Sequence, residues 1–561
     1  MPEAQLLASR IYLAVDGTEV QREVMTHVLE VVVDQHVHAP DMFTIRLADP
    51  NLKLLDEGPF DLTRPVKIEA AGPDGEKAVL MDGEIVALEP AFNEGMVAEL
   101  VVRGYDKSHR LYRETKSRAF LNKKDSDLAQ EIAQSVGLQA EVESTATVYD
   151  HVYQHNQSDL AFLMERAWRI GFECFVDEGK LYFRKPANEG GDALTLTWGR
   201  DLLSFQPRLT LAEQVGEVIV RGWDPEKQEA IVGRAQTGAL YPRLEESKNG
   251  AEWADAFGQG KLVIVDLPVT SQAEADALAA ARLDELSGAF VDAEGRAYRQ
   301  PGLKAGKTVR LERLGERLSG RYLVTSATHV YGPEGLVTHF CVRGTRTGSL
   351  VEQLAGADPR RRWPGVVPAV VTNAGDPEGQ GRVKVKFPWM TDDAESAWAR
   401  NLGAGAGPEA GFFAIPDVGD EVLVAFEHGD FSRPYILGGL WSGQQKVPPE
   451  AGSGGEEAQV RIWRSRGGHT IIFYDNADNK VEIKTAGGHT VSLDDANQAI
   501  TFTSNGGLEL ALDDSGSKVV VKSGGEIQIE ASTNLKIKAG ANLELEASGQ
   551  VNVKGATINL N

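Results

Sequence analysis

The chain has 561 residues, 42% of them apolar, with 58 Lys and Arg against 82 Asp and Glu and a net charge of −24. That length accommodates three or four domains with folded cores, and no run of about 18 apolar residues exists to form a membrane-spanning helix. The acidity argues against nonspecific nucleic-acid binding, which rewards phosphate neutralisation by Lys and Arg, and residues 1–13 lack the features of a secretory signal, so cytoplasmic synthesis is expected.

Residues 1–360 read as mixed α and β with strands dominating. Runs at 66–69, 97–103, 181–184, 217–221 and 322–330 look like strands between turn residues. Three helices stand out. Residues 125–136 place Leu128, Ile132 and Val136 on one face after an Asp-Ser-Asp start. Ser158 can cap a second helix striped by Leu160, Leu163, Met164 and Ala167. Ser271 and Glu274 form a capping box before an Ala-rich stretch to Leu286. All three stripes read as core-facing. Cys174 and Cys341 share no paired spacing and read as buried free thiols.

After the basic run Arg360-Arg361-Arg362, residues 364–443 suggest a small barrel. Strands are expected at 366–371, 381–387, 397–401, 411–415 and 421–427, the count and size of an OB-type fold. Residues 444–461 read as a linker carrying Pro448-Pro449 and a Gly-rich stretch at 452–455.

Residues 462–561 read as one further unit. Turn signals at 475–476, 494–495, 505–507 and 513–516 suggest an irregular collar of short strands to about residue 518. From 525 to 556 the chain alternates apolar or tiny with polar residues, and the pattern repeats every eight. Ile527, Leu535, Leu543 and Val551 form one column, Ile529, Ile537, Leu545 and Val553 the next, and Ala531, Ala539, Ala547 and Gly555 a third. Period-two alternation means strands with one dry face. Six extended residues and a two-residue corner make one side of a prism, whereas a single-chain β-helix needs about 20 residues or more per turn. Three identical chains can bury the dry faces on a common axis. Glu530, Lys538, Glu546 and Lys554 then alternate in sign up the outside and disfavour a slipped register. An antiparallel meander is the other reading, and it leaves the apolar face without a cover. The parity changes at Ile558 and Leu560, as a bulge near Gly555 would produce.

The barrel carries a resemblance. Residues 416–426, Pro-Asp-Val-Gly-Asp-Glu-Val-Leu-Val-Ala-Phe, with Gly429-Asp430, Arg433-Pro434 and Gly438, resemble the OB-fold signature of the VgrG family and phage central spikes, its motif residues here being Pro416, Gly419, Asp420, Gly429, Asp430, Arg433 and Pro434. Gly381-Arg382-Val383-Lys384-Val385 and Trp398-Ala399-Arg400 fit the same module. Gly104-Tyr105-Asp106 with His109-Arg110-Leu111, Tyr153-Gln154, residues 158–163, Pro301-Gly302-Leu303 to Gly306 and residues 320–324 resemble the family's tube-docking domains. The first 100 residues resemble the spikes of extracellular, phage-tail-like injection particles.

What the resemblance implies is a mainly β, nonenzymatic, homotrimeric central spike of a contractile injection system. Residues 1–360 would form two barrel-like subdomains per chain, so that three chains meet a hexameric inner tube and baseplate proteins; the C-terminal triple-stranded β-helix would be the needle, meeting a target membrane only on firing. Some family members carry a lysozyme domain, a toxic extension or a His-x-His metal tip. The linker is too short for an enzyme and no histidine follows His489, so a separate PAAR-like tip protein is expected on Ile558, Asn559, Leu560 and Asn561. A type VI secretion VgrG that carries effector cargo is the alternative within the family; a cell-wall hydrolase or host-binding tail spike is the alternative outside it.

Other chemistry is weaker. Gly403-Ala404-Gly405-Ala406-Gly407 lacks the Lys-Ser or Lys-Thr of a phosphate loop and reads as a barrel loop. Glu427, His428 and Asp430 resemble a catalytic cluster only by composition. Gly-Gly-His-Thr recurs at His469 and His489; these histidines flank turns or, three at a level in a trimer, ligate a metal. No cofactor is expected, and the barrel shows no basic-aromatic platform for an oligonucleotide.

Overall fold

The computed structural model describes residues 10–94, 97–186, 194–224, 227–240, 242–245, 248–269, 271–346, 362–452 and 459–560. The chain is mainly β and divides into two compact units, Met1–Leu440 and Trp441–Asn561.

The largest sheet of the first unit has eleven strands from distant parts of the chain. Thr18–Glu19, Ile11–Val15, Pro65–Ala71, Lys77–Asn93, Val97–Asp106, Met42–Ala48 and Val28–His36 lead to Ser326–Gly332, Gly335–Val342, Val291–Tyr298 and Leu202–Leu209. Alternation builds it: Ile11, Leu13 and Val15 are buried while Tyr12 and Ala14 are half-buried. The subdomains expected within 1–360 are thus joined by a continuous sheet, where Val28–His36 pairs with Ser326–Gly332. The single strand expected at 322–330 is two. Gly320–Leu323 pairs with Thr308–Glu312, and the chain changes partners at Val324 and Thr325, whose N–H groups bond the carbonyls of Lys307 and Cys341.

Three helices lie where the caps predicted. Asp125–Ser135 buries Leu128, Ala129, Ile132 and Ala133. In Asp159–Ile170, Ser158 Oγ accepts from the Ala161 N–H at 3.3 Å. That helix ends at Gly171, φ +70°, where an added Cβ would stand 3.0 Å from Ala281 of the third helix. Gln272–Gly288 is capped by Ser271 Oγ, which accepts from the Glu274 N–H at 3.2 Å, but the Glu274 carboxylate turns to Arg169. This helix covers the three-stranded sheet of Glu229–Ala235, Glu217–Asp224 and Lys261–Ile264. Cys174 is buried, which pushes its thiol up to about 12, whereas Cys341 is half-buried, less enclosed than expected.

The barrel's sheet runs Lys384–Lys386, Val366–Asn373, Glu421–Phe426, Pro434–Gly439, Arg400–Asn401. Its core includes Val371, Val385, Phe387, Val422, Val424, Phe431 and Ile436. The strand expected at 411–415 does not form. Ala406–Gly407 and Ala410–Gly411 make a two-rung hairpin instead, Phe413 beyond it is exposed, and Pro434–Gly439 takes the place in the sheet.

The second unit contains a seven-stranded antiparallel meander of five-residue strands: Val460–Arg464, Thr470–Tyr474, Lys480–Lys484, Thr490–Asp494, Ala499–Thr503, Glu509–Asp513 and Lys518–Lys522. The expected irregular collar is therefore regular, because two turn designs alternate. One edge carries Ser465, Thr485 and Ser504, each accepting the N–H of the glycine three residues on, Gly468, Gly488 and Gly507, all at positive φ. The other edge carries Asp-rich turns closed by Asn479, Gln498 and Ser517, also at positive φ.

Beyond Lys522 no strand is paired among the described residues, and residues 524–560 are exposed throughout. The backbone nonetheless bends at 524–525, 532–533, 540–541, 548–549 and 556, one corner per eight residues with six residues between. Expected as strands, these segments have no neighbour among the described residues to complete a ladder.

Candidate functional site

Two places concentrate what the sequence singled out: the seam that holds the barrel in the first unit, and the apolar faces of the second unit. At the seam every motif residue has a structural task. Pro416 leads into a turn where the Asp417 N–H donates to Asp420 Oδ2 at 2.9 Å; the Gly419 N–H reaches the Val371 carbonyl at 2.9 Å and the Val371 N–H returns to the Asp420 carbonyl at 2.9 Å. Gly419 stands at φ +92° and Gly429 at φ +79°, where a Cβ at 429 would meet the Trp363 backbone at 3.2 Å. The Trp363 N–H donates to the Gly429 carbonyl at 2.8 Å, so the motif holds the entry to the barrel. Arg433 pairs with Glu427 at 3.1 Å before Pro434 opens the final strand.

Asp430 faces outward from the barrel. Its Oδ1 accepts from the Ser432 N–H at 3.0 Å, and its Oδ2 lies 3.5 Å from Arg169 of helix Asp159–Ile170. Arg169 also binds Glu274 Oε1 at 2.6 Å and the Pro268 carbonyl at 3.2 Å. One nearly buried guanidinium thus ties two helical segments to the barrel, and its carboxylate partners hold its pKa above the ordinary value despite the cost of burial. Glu427 and Asp430 are spent on ion pairs, which gives the apparent Glu-His-Asp cluster a structural use.

Aromatic packing completes the seam. Tyr153, on strand Val148–Ser158, is buried within the barrel's own core, 5.1 Å between ring centres from Phe431; His155 stacks on Phe431 at 4.9 Å. Trp363 packs on Phe431 at 5.5 Å. Tyr153 appeared in the sequence only as part of a resemblance, and Arg169, His155 and Phe431 not at all. An Arg among helix residues and aromatics on an alternating strand give no local sign of a partner so distant in the chain.

In the second unit, cross-strand register aligns two apolar rows on one face of the meander. Trp463, Ile471, Ile483, Val491, Phe502, Leu510 and Val521 form one; Phe473, Val481, Leu493, Ile500, Leu512 and Val519 form the other. Trp463, Phe473, Phe502 and Val519 are among its exposed members. The octad columns continue this exposure: Ile527, Ile529, Leu535, Ile537, Leu543, Leu545, Val551 and Val553 are 52–71% exposed. Ile558 and Leu560 are exposed apolar residues and Asn559 is exposed too; Asn561 lies outside the described residues.

His469 and His489 sit on the Gly-Gly turns. His469 Nδ1 accepts the Ala486 N–H at 3.2 Å and His489 Nδ1 accepts the Asn505 N–H at 3.3 Å, so each stitches its turn to the next. The residues of 403–407 form an exposed barrel loop and hairpin.

A family model described as the Alg8 N-terminal domain matches residues 5–332, and one described as the type VI secretion system/phage-baseplate injector OB domain matches residues 367–441. The type VI secretion system spike protein VgrG1a of Pseudomonas aeruginosa is 36% identical over 97 residues, 17% of this chain and 15% of that protein. VgrG5 of the same organism is 42% identical over 100 residues, 16% of this chain and 13% of its own. The chain therefore matches only about a seventh of the length of these relatives. Among solved structures, the E. coli c3393 protein, described as a type VI component similar to the T4 bacteriophage tail proteins gp27 and gp5, aligns with a TM-score of 0.49 at 14% identity, over 76% of this chain and 99% of its own. With one model spanning more than half of the chain and the injector barrel behind it, the protein belongs to the Alg8 N-terminal domain family and is a VgrG-like spike protein.

Proposed function

We propose that the chain is the homotrimeric, nonenzymatic central spike of a contractile injection system of the extracellular, phage-tail-like kind. Residues 1–360 dock on a hexameric inner tube and the baseplate proteins, 364–443 form the junction barrel, 444–461 the linker, and 462–561 the needle that pierces a target membrane on firing. The observation that carries this reading is the pair of apolar faces in the second unit: of the thirteen side chains in the meander's two rows all but the half-buried Ile471, Val481 and Val491 are exposed, and so are the eight on the octads. Burying apolar surface is worth about 25 cal/mol per Å². In the proposed trimer the octads, which bend every eight residues, would each form one side of a prism, and three such sides would close around an axis. A separate PAAR-like tip would sit on Ile558, Asn559, Leu560 and Asn561, of which Ile558 and Leu560 offer exposed apolar side chains. Assembly into a particle, after synthesis in the cytoplasm, places the spike outside the cell.

Sedimentation equilibrium of the full chain tests this: a species of three times 60.8 kDa is expected, and a stable folded monomer overturns the trimer. Turnover of purified peptidoglycan or polysaccharide would overturn the nonenzymatic role. The type VI names of the relatives favour a second reading, a secreted VgrG that carries effector cargo. Neighbouring genes separate the two: sheath, tube and baseplate genes without a membrane complex support the extracellular particle, and a membrane-complex set supports type VI secretion.

A further inference from the structure

Every strand of the seven-stranded meander runs from one edge of the sheet to the other. Three turns stand on each edge: 465–469, 485–489 and 504–508 on one, 475–479, 495–498 and 514–517 on the other. The edges differ in charge. On the Asp-rich edge Asp475 pairs with Arg461, Asp513 lies 3.3 Å from Lys518, and Asp494 accepts from the Asn497 N–H and Nδ2 at 2.8 and 2.9 Å. One carboxylate per turn is left over. Asp478, Asp495 and Asp514 are exposed and make no ion pair with any described residue.

The Gly-rich edge carries the complement. Arg464 is held by Glu450, but Lys484 is exposed and makes no ion pair with any described residue. His469 and His489 are exposed as well, and Nδ1 of each accepts a backbone N–H, at 3.2 and 3.3 Å, so Nε2 is the nitrogen that donates. Glu509, at the far end of this edge, is in register with Lys522 on the next strand.

The strands set these groups at matching levels. Thr470–Tyr474 runs from His469 to Asp475, Lys480–Lys484 begins just after Asp478 and ends on Lys484, and Thr490–Asp494 runs from His489 to Asp495. Within one chain the members of each pair stand a strand's length apart, about 17 Å for five residues. In a cyclic trimer they can meet. A three-fold axis holds a given strand of every copy at one height, and a heterologous contact sets one edge of each copy against the other edge of the next.

Building on the trimeric needle proposed above, we infer that these edges are its corner contacts. The Gly-rich edge of one copy docks on the Asp-rich edge of the next, with Lys484 against Asp478 of the partner subunit and His489 against Asp495 of the partner subunit. Apolar burial drives the three sheets together, and the edge charges select how they are aligned. A copy turned end for end keeps its apolar face inward but sets like edges together, Asp-rich on Asp-rich, which repulsion disfavours.

Sedimentation of the full chain across a urea series at 0.1 M salt tests this. Lys484→Asp and Asp478→Lys each place like charges together at three corners, so each should raise the dissociation constant of the trimer at least about tenfold at a given urea concentration. The double variant exchanges the two charges and should return to within about threefold of the parent. The exchanged groups lie farther apart in one chain than the screening length of about 10 Å at that salt, so such rescue has to arise between copies. A trimer whose single variants match the parent, or whose double variant shows the sum of both losses, overturns the edge pairing and leaves the needle trimeric. A monomeric parent overturns both.

Discussion

Arg169 and Asp430 meet at 3.5 Å across the seam between a helix of the N-terminal region and the barrel, and Arg169 holds Glu274 at 2.6 Å on its other side. The three groups are unequal. Removing the guanidinium leaves two nearly buried carboxylates together, whereas removing one carboxylate leaves the other pair intact. Arg169→Ala should cost about 3–5 kcal/mol of unfolding free energy and Asp430→Asn about 1 kcal/mol. Denaturant unfolding of the two variants checks the order; equal losses would show that the seam does not rest on this arginine.

The two motif glycines make a matched pair. Both hold positive φ, +92° at Gly419 and +79° at Gly429, but only at Gly429 does an added Cβ press on backbone, that of Trp363 at 3.2 Å. Alanine should cost about 1 kcal/mol at 419, from the left-handed conformation alone, and about 2–3 kcal/mol at 429. The difference in melting temperature between the two variants reads the crowding directly.

Local chemistry was legible where it is decided locally. Ser158 and Ser271 start helices because a side-chain oxygen can take an N–H three residues on, and the alternation around Ile11–Val15 or Glu421–Phe426 marks a half-buried strand whatever it pairs with. Partner choice was not legible. The run 322–330 carries no glycine or proline to mark a break, yet Val324 and Thr325 pass it from one sheet to another. Gly411-Phe412-Phe413 has strand-like composition, but Gly411 closes a hairpin and Phe413 points to water. Turn dipeptides in 475–516 suggested uneven spacing because the two turn designs look different in sequence while spanning nearly equal lengths. Tyr153 lies in the barrel core although more than 200 residues separate it from that domain, a placement set by tertiary packing alone.

A buried carboxyl pair sets a pH dependence. Asp106 and Asp41 are enclosed in the N-terminal sheet, Asp106 Oδ1 accepts from Ser108 Oγ at 2.5 Å, and Asp106 Oδ2 has no hydrogen-bond partner. Burial raises Asp106 from an ordinary 3.8 to about 7 and raises Asp41 as well, with the neighbouring Asp106 adding to the latter. The folded state therefore binds a proton that the unfolded state has released. The contribution is fully present below pH about 4 and is lost as pH rises to about 7. His38 and His329, lowered by burial to about 4 and about 3, act in the opposite sense, losing stability as pH falls below their unfolded value. The Asp106→Asn variant isolates the carboxyl: its melting temperature relative to the parent should climb between pH 4 and 7 and then level. A flat difference would mean that Asp106 is ionised in the folded protein.

Within the octads, Ile537 is 64% exposed in the single chain and occupies the middle of its column. In the proposed trimer, three copies meet on the axis at one level, where burial favours the apolar side chain and forbids a charge. Ile537→Asp should therefore place three unpaired carboxylates there and cost roughly 3–5 kcal/mol per trimer. Lys538→Asp, one residue on and facing outward, disturbs only exposed pairs and should cost less than about 1 kcal/mol. Sedimentation and thermal melting of the full chain distinguish the two. Loss of trimer confined to Ile537→Asp fits an inward-facing column. Equal behaviour of the two variants would show that odd and even positions share one environment, and the prism would then have no inside.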